Sequence, residues 1–169
     1  TYFQEGVRGS DSAVHAWIVD LRGNSGGLTS AAVSALGAFS GEGDLIYFVD
    51  QDGESTAQRY SGKDLTDKPA IVLMDSGSAS ASEILAGAIR DNHAGLLVGT
   101  KTFGKGVVQS SLEFADGSGM KVTTARYYTP SDECIHEIGI EPDVEVELDE
   151  DAVTRYGINN LPHDHDAQL

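Results

Sequence analysis

Two short apolar runs, each followed by a loop of small residues and then by an alanine-rich segment, constrain the fold of this chain most strongly. Residues 16–20 (Ala-Trp-Ile-Val-Asp) and 70–75 (Ala-Ile-Val-Leu-Met-Asp) are bounded by turn-forming residues, which predicts two buried strands. The segments Thr29–Phe39 and 81–92 carry their larger apolar residues at helical spacing, which predicts two helices. The sequence therefore predicts two strand–loop–helix units.

The rest of the chain adds strands rather than helices. A turn at Asp52-Gly53 separates two predicted strands, and a turn at 116–119 joins an antiparallel pair. The predicted extended segments are the start of the chain, 44–50, 55–60, 96–98, 107–114, 120–128 and 140–146. Strands that alternate with helices and are followed by a hairpin predict an α/β (α+β layered) fold, with a mixed β-sheet packed against helices.

Length indicates how many domains the chain forms, and its charge indicates which classes of partner are disfavoured. The chain has 169 residues, and 11 Lys and Arg against 27 Asp and Glu give a formal net charge of −16. This length predicts one domain, over residues 1–158, followed by a polar and loosely held tail over 159–169. The negative charge disfavours nucleic acid and anionic membrane surfaces as partners, because both would repel the chain. The single cysteine, Cys134, cannot form an intrachain disulfide or a thiolate metal site.

The densest chemical signal is the run of small residues from Ser76 to Glu83, at the predicted junction of strand and helix. Unpaired backbone N–H groups and the positive end of the helix dipole converge at such a junction, which favours a serine nucleophile and its oxyanion. A structural explanation competes with this one, because Ser80 and Glu83 also match a capping box. Position alone does not separate Ser78, Ser80 and Ser82.

Two glycine-containing loops carry the remaining signal. Residues 20–27 (Asp-Leu-Arg-Gly-Asn-Ser-Gly-Gly) follow a predicted strand, and their glycines would let backbone N–H groups approach a ligand. In the loop 102–106 (Thr-Phe-Gly-Lys-Gly), Lys105 is flanked by glycines whose spacing does not match a phosphate-binding loop. Alternation along the following strand places Gln109 on the face of Lys105, where it can hold the lysine amine. Each loop taken alone is also consistent with an ordinary turn.

Five segments together resemble the carboxyl-terminal processing, or tail-specific, serine proteases. The segments are 20–27, 77–83 (Gly-Ser-Ala-Ser-Ala-Ser-Glu), 99–106 (Gly-Thr-Lys-Thr-Phe-Gly-Lys-Gly) with Gln109, 125–130 (Ala-Arg-Tyr-Tyr-Thr-Pro) and 139–143 (Gly-Ile-Glu-Pro-Asp). These motifs are long and ordered, and the resemblance covers roughly residues 15–147. It implies the catalytic core of these proteases without their PDZ domain.

The resemblance implies a Ser–Lys dyad. In this family the nucleophile lies a fixed number of positions before the lysine of the Gly-Lys-Gly loop, which makes Ser80 the nucleophile and Lys105 its base. The glutamine four residues beyond the lysine, Gln109, would orient the lysine.

The same resemblance implies an oxyanion hole and a supporting carboxylate. The N–H of Ala81 and that of a glycine in the first loop, either Gly26 or Gly27, would bind the oxyanion. Asp91 matches a functionally sensitive aspartate of the family. Helix geometry places it about 16 Å along the axis from Ser80, so we expect it to anchor the helix end or neighbouring loops rather than to complete a triad.

A dyad of this kind needs a neutral lysine amine to accept the serine proton. A free lysine side chain has a pKa of about 10.4, and burial favours its neutral form. We therefore expect Lys105 to be largely buried in the active form. The resemblance further implies a serine endopeptidase that cleaves protein or peptide substrates near their C-terminus, commonly with apolar terminal residues, and that needs no metal and no organic cofactor.

Other functions stay open at this point. The alternative is a non-catalytic binding module on the same fold, or a core that is latent without its PDZ domain. A Ser-His-Asp triad would need a histidine, and none lies in a motif-like setting among His15, His93, His136, His163 and His165. The resemblance implies a location outside the cytoplasm, in the periplasm or cell envelope. It also implies a PDZ domain in the full-length protein and leaves room for a homo-oligomer.

Overall fold

The strands form two separate sheets. The computed structural model describes residues 2–61 and 64–169, and its strands are β1 (Trp17–Asp20), β2 (Glu42–Asp50), β3 (Ser55–Ser61), β4 (Ala70–Met74), β5 (Leu96–Gly99), β6 (Val107–Glu113), β7 (Gly119–Tyr128) and β8 (Val144–Glu145). A parallel sheet has the order β1-β4-β5-β8, and an antiparallel sheet has the order β3-β2-β7-β6. The predicted α/β class is confirmed, with parallel and antiparallel pairing in different sheets.

One helix connects the two sheets. The helices are α1 (Tyr2–Ser10), α2 (Thr29–Phe39), α3 (Ala81–Asp91) and α4 (Glu150–Tyr156), with short 3-10 turns at Asp11–Ala13, Ile158–Asn160 and His163–His165. α3 contacts α2, β2 of the antiparallel sheet and β5 of the parallel sheet. Within the described chain, none of these helices has the length and apolar composition needed to cross a membrane.

The apolar residues that predict the two central helices form the core. Leu36 of α2 and Ile89 of α3 are fully buried, in one cluster with Val72 of β4 and Leu97 of β5. Burying side chains of this size stabilises a fold by roughly 1.5–3 kcal/mol each. α2 has the predicted bounds, and α3 ends one residue earlier than predicted.

The start of the chain is helical, so the predicted strand there was wrong. Phe3 and Val7 are four residues apart and therefore share one face of α1. Val7 is buried, and the ring of Phe3 lies edge-on to that of Phe39 in α2, with centroids 6.0 Å apart. This packing against α2 favours the helix.

The part of the chain that follows β7 also differs from the prediction. Of the predicted extended segment 140–146, only β8 pairs as a strand. Pro142 has no backbone N–H to donate to a ladder, which is consistent with pairing that begins only at Val144.

The helix α4 was not predicted; its N-cap is Asp149, whose carboxylate accepts N–H groups of the first turn.

The polar tail is packed, so the expectation of a loose tail was wrong. Asp166 and Gln168 are only 6% and 9% exposed. Both carboxylate oxygens of Asp166 accept hydrogen bonds from Nη1 of the buried Arg22, at 2.9 Å each. Nε2 of Gln168 donates to the carbonyl of Val146 at 2.6 Å. Arg22 also pairs with Asp20 at 2.7 Å, so the tail completes the set of partners that a buried guanidinium needs. The domain boundary at residue 158 stays a prediction.

Removal of the tail carboxylate should destabilise the fold. Asp166→Ala leaves Arg22 with Asp20 as its remaining carboxylate partner, so we expect the free energy of unfolding to fall by about 2–4 kcal/mol. Urea unfolding measures this change. Asp164→Ala is the matched control, because the Asp164 side chain is 81% exposed. Equal stability of both variants and the parent would show that the tail contributes nothing to the fold.

Candidate active site

The loops that follow β1 and β4 emerge side by side. The two strands are parallel neighbours in register along the whole of β1. Sites in parallel sheets lie at the carboxyl edge of the strands, where such loops meet. The N–H of Gly23 donates to Oδ1 of Asp75 at 2.8 Å, and the N–H of Ala79 donates to the carbonyl of Asn24 at 3.0 Å. The first glycine loop is thereby attached to the serine-rich junction.

The three candidate serines occupy different environments. Ser78 is completely buried, and its Oγ donates to the carbonyl of Leu21 at 2.7 Å. Ser82 is also buried, inside the first turn of α3. Ser80 is half-buried and lines a cavity of about 310 Å³ together with Lys105, here called the Ser80 cavity. The geometry therefore favours Ser80 as the reactive serine.

The backbone of Ser80 is strained. Ser80 is the N-cap of α3 and has φ +56° and ψ −118°. A positive φ is uncommon for a residue with a Cβ, and backbone strain of this kind costs of order 1–3 kcal/mol. It persists only where surrounding contacts impose it, and it is concentrated at functional sites. A sharp strand-to-helix turn that exposes a serine side chain is also the geometry of the nucleophile elbow in other hydrolases.

A buried carboxylate imposes this turn. Glu83 is completely buried, and its two oxygens accept four hydrogen bonds. Oε2 accepts the N–H of Ser80 at 2.9 Å and the N–H of Lys105 at 2.8 Å. Oε1 accepts Oγ1 of Thr102 at 2.6 Å and the N–H of Gly104 at 2.7 Å. Glu83 therefore forms its half of the predicted capping box and also holds the lysine loop against the start of α3.

Gly26 makes the closest approach of the first loop to Ser80. Its φ is +102°, and a Cβ at this position would lie 2.6 Å from the Ala79 carbonyl oxygen and 2.9 Å from both the Ala81 nitrogen and the Ser80 Cβ. A Cβ on Gly27 would meet open space. Any residue other than glycine at position 26 would force the two loops apart.

Lys105 borders the Ser80 cavity and is exposed in this structure, so its burial in the active form stays a prediction. Among the described residues, its side chain takes part in no hydrogen bond and no ion pair. The loop that carries it is fixed through backbone N–H groups, which leaves the side chain free to extend along an open cavity. Burial of the amine would require something to cover this cavity.

Gln109 also lines the Ser80 cavity, but it does not hold the lysine. No hydrogen bond joins Gln109 to Lys105 within the described part of the chain, and Gln109 is exposed. The register of β6 against β7 shifts between Val108 and Gln109. The extra residue at this shift, Thr124, lies on β7, so the alternation along β6 is kept and Gln109 lines the same cavity as Lys105 without bonding to it.

Asp91 lies at the far end of α3 and holds the segment after β7. Oδ1 of Asp91 pairs with Nε of Arg90 at 2.8 Å, and Oδ2 accepts the N–H and Oγ of Ser131 at 2.9 and 2.7 Å. Burial raises the pKa of Asp91, but hydrogen bonds from Arg90 and Ser131 outweigh this effect and hold it below its ordinary value. These contacts are of the loop-anchoring kind expected from the sequence. A groove of about 950 Å³ beside Asp91 is larger than the Ser80 cavity but contains neither Ser80 nor Lys105.

The alternative nucleophiles and bases lie elsewhere. Neither Cys134 nor any of the five histidines lines the Ser80 cavity in the described structure. The second basic residue in this cavity is Lys121, on β7. A Ser-His-Asp arrangement around Ser80 is therefore not supported by the geometry.

Two residues of this site do more than their sequence motifs indicate. The capping-box pattern predicts Glu83 as a helix cap, whereas in the fold it also binds the lysine loop; a carboxylate within a run of small and apolar residues is the signal that pointed to burial. Tyr127 was noted as part of a matching motif without a role. It is buried in β7 and lines the Ser80 cavity.

Comparisons with known proteins identify the family of this chain. The model of peptidase family S41 matches residues 3–146. The carboxyl-terminal-processing protease of Synechocystis sp. is 44% identical over 137 residues, which are 81% of this chain and 32% of that protein. The chloroplastic C-terminal processing peptidase of Tetradesmus obliquus is 40% identical over 139 residues, 82% of this chain and 30% of that protein. The chain thus spans about a third of the length of these relatives.

Solved structures give the same result. A photosystem II D1 C-terminal processing protease has a TM-score of 0.80 at 38% identity, over 95% of this chain and 44% of that one. Mature CPAF in complex with lactacystin has a TM-score of 0.79 at 16% identity, over 92% of this chain and 44% of that one, and therefore shares the fold. The family resemblance inferred from the sequence is confirmed: this chain belongs to peptidase family S41.

Proposed function

We propose that this chain is the catalytic core of a serine endopeptidase that cleaves proteins near their C-terminus, with Ser80 as nucleophile and Lys105 as base. The observation that carries the proposal is the shared acceptor: the N–H groups of Ser80 and Lys105 donate to one oxygen of Glu83. A common acceptor keeps the two residues at the edge of the same cavity. The names of the relatives, which are carboxyl-terminal-processing enzymes, suggest where in the substrate cleavage occurs.

In the proposed reaction, Oγ of Ser80 attacks the carbonyl carbon of the scissile peptide bond. The neutral amine of Lys105 accepts the serine proton as the new C–O bond forms. When the tetrahedral intermediate collapses, the resulting ammonium returns this proton to the leaving amine and the C–N bond breaks. Water then attacks the acyl-enzyme, with Lys105 again as base, and releases the shortened protein and free Ser80.

The oxyanion would be bound by the N–H groups of Ala81 and Gly27. Ala81 is the first residue of α3, where the helix has no acceptor for this N–H. The N–H of Gly26 already donates to Oδ1 of Asn24 at 3.0 Å, whereas that of Gly27 has no hydrogen-bond partner among the described residues. This difference favours Gly27 as the second donor. One such donor contributes about 10²–10³-fold to the rate in other serine hydrolases.

Substrate binding would supply the burial that Lys105 lacks. A peptide that covers the Ser80 cavity removes water from the amine and so favours its neutral form. Gln109 lines the same cavity and is close enough in the fold to orient the lysine once the cavity is covered. Asp91 would support the site indirectly, through the segment after β7.

Partners beyond the substrate belong to the same proposal. The chain spans about a third of its relatives, so we expect a PDZ domain that binds the substrate tail to lie in the rest of the full-length protein. The preferred substrates would carry apolar C-terminal residues, and a homo-oligomer would be compatible with this organisation. A location outside the cytoplasm would suit relatives that include bacterial and chloroplastic proteins.

A latent core is the second candidate function. It is favoured by one observation, the exposed Lys105 side chain that bonds to neither Ser80 nor Gln109 in the described chain. In that case the 169-residue chain would cleave only when a PDZ-containing segment is supplied. Addition of that segment to the assay distinguishes a latent protease from a non-catalytic binding module, which would stay inactive.

Ser80→Ala and Lys105→Ala should each lower cleavage of an unstructured protein with an apolar C-terminus by at least about 10³-fold while the chain stays folded. Cleavage is followed by intact mass, with and without the PDZ-containing segment. Lys101→Ala is the matched control, because Nζ of Lys101 pairs with Glu141 at 2.7 Å outside the cavity. Normal cleavage by Ser80→Ala would refute the assignment of the nucleophile. Loss of cleavage in Lys121→Ala but not in Lys105→Ala would assign the base to Lys121.

Gly26→Ala should separate the two loops and lower kcat by at least about 10²-fold, since it displaces the oxyanion donors. The clash with the Ala79 carbonyl should also lower the midpoint of urea unfolding. Gly27→Ala should have a smaller effect, because its Cβ meets open space, and Gly9→Ala in α1 should have none. Equal activity of the Gly26 and Gly9 variants would show that the loop does not approach Ser80 as described.

Glu83→Gln should impair both stability and activity. An amide has one acceptor oxygen, so two of the four donors to Glu83 lose their partner, and we expect the free energy of unfolding to fall by about 2–4 kcal/mol. We expect kcat to fall at least about tenfold, because the Ser80 turn and the lysine loop are no longer joined. Glu113→Gln, at the exposed end of β6, is the control. Parent-like behaviour of Glu83→Gln would remove the basis of the proposed site.

A further inference from the structure

A buried hydroxyl group without a partner lies beside the proposed nucleophile. Tyr127 is only 2% exposed, and its Oη has no hydrogen-bond partner among the described residues. Buried polar side-chain atoms in folded proteins are nearly always hydrogen-bonded, so an exception calls for an explanation. A tyrosine kept for packing alone could be replaced by phenylalanine without this cost.

The fold places this hydroxyl at the reacting groups. Tyr127 lies on β7, opposite Phe48 of β2, and its N–H donates to the carbonyl of Gly106 at 3.1 Å, directly after Lys105. Its side chain lines the Ser80 cavity together with Ser80 and Lys105. The strand therefore fixes the ring with respect to both proposed catalytic residues.

The chemistry of the neighbouring groups identifies an acceptor. Each oxygen of Glu83 already accepts two hydrogen bonds, so this carboxylate is not a free acceptor for the phenol. The hydroxyl of Ser80 has two lone pairs and is one of the acceptors that line the cavity, together with those of Gln109 and Ser111. Burial and the Glu83 carboxylate raise the pKa of Tyr127 far above its ordinary value, and the nearby Ser80 hydroxyl only partly opposes this, so the phenol keeps its proton and can donate. Of these acceptors, Ser80 is the one that acts on the pKa of Tyr127, although no hydrogen bond joins the two residues in the described structure.

We propose that Tyr127 is a positioning residue whose phenolic O–H donates a hydrogen bond to Oγ of Ser80 in the active enzyme. The proposal rests on the function proposed above. The hydrogen bond occupies one lone pair of the serine oxygen and directs the serine O–H toward Nζ of Lys105. As Lys105 takes the proton, the same donor stabilises the negative charge that develops on Oγ. Tyr127 keeps its own proton throughout, so the dyad chemistry stays balanced.

Tyr127→Phe tests this role because it removes the hydroxyl and keeps the ring. We expect kcat to fall about 10- to 100-fold with KM within about twofold of the parent. The melting temperature should change little, because the ring and its packing are kept. A purely structural tyrosine would instead lose stability and activity together.

Tyr128→Phe is the matched control. Tyr128 is the next residue of β7, is half-buried and lines a different cavity with Val49 and Thr124, so this variant should behave as the parent. The proposal is overturned if Tyr127→Phe turns over like the parent while Ser80→Ala is inactive, or if the Tyr128 variant loses as much activity. Cleavage by Ser80→Ala would instead overturn the proposed function itself.

A crystal structure of the chain gives a test that does not depend on turnover. The proposal predicts a distance of about 2.6–3.0 Å between Oη of Tyr127 and Oγ of Ser80. If Oη is bonded to a carbonyl group or a water molecule and Oγ lies beyond hydrogen-bond distance, Tyr127 does not position the nucleophile.

Discussion

The buried carboxylate of Glu83 is the interaction on which the rest of the site depends. An isolated buried charge costs several kcal/mol, and four hydrogen bonds together with the positive end of α3 offset this cost. Three of the donors lie in the loop that carries Lys105: two backbone N–H groups and the hydroxyl of Thr102. The fourth donor is the N–H of Ser80. The carboxylate can be buried only when the loop closes over it. Folding of the loop and assembly of the site are therefore one event.

The two ends of α3 serve different parts of the site. Its N-terminal end holds the strained turn of Ser80 next to Gly26, where the absence of a Cβ allows two backbone segments to touch. Its C-terminal end carries Asp91, which binds Ser131 shortly after the strand that holds Tyr127. Because α3 also contacts both sheets, a single rigid helix relates the serine, the lysine loop and the antiparallel sheet.

The elements that sequence patterns predict well are those whose signals are local. α2, α3 and the β6–β7 hairpin follow from apolar spacing and turn residues, and the site residues follow from motifs next to them. α1 and the packed tail were missed because tertiary contacts decide them: Phe3 packs against a ring in α2, and Asp166 pairs with Arg22 across 144 positions of sequence. The composition of α1 and of the tail does not by itself indicate such contacts.

The features of the site also divide into those that local motifs predict and those that tertiary contacts decide. The junction of strand and helix predicts a reactive serine, but the choice of Ser80 over Ser78 and Ser82 rests on the family resemblance. The exposure of Lys105 depends on what covers the cavity, which no motif encodes. Alternation places Gln109 on the cavity that Lys105 borders, but it does not encode a side-chain hydrogen bond between the two residues. The most direct test of the central claim is acid trapping of the chain during reaction with an activated ester, followed by peptide mapping. The account predicts a single acyl group on Ser80 and none on Ser78, Ser82 or Cys134. An acyl group on any other residue, with Ser80 unmodified, would contradict it.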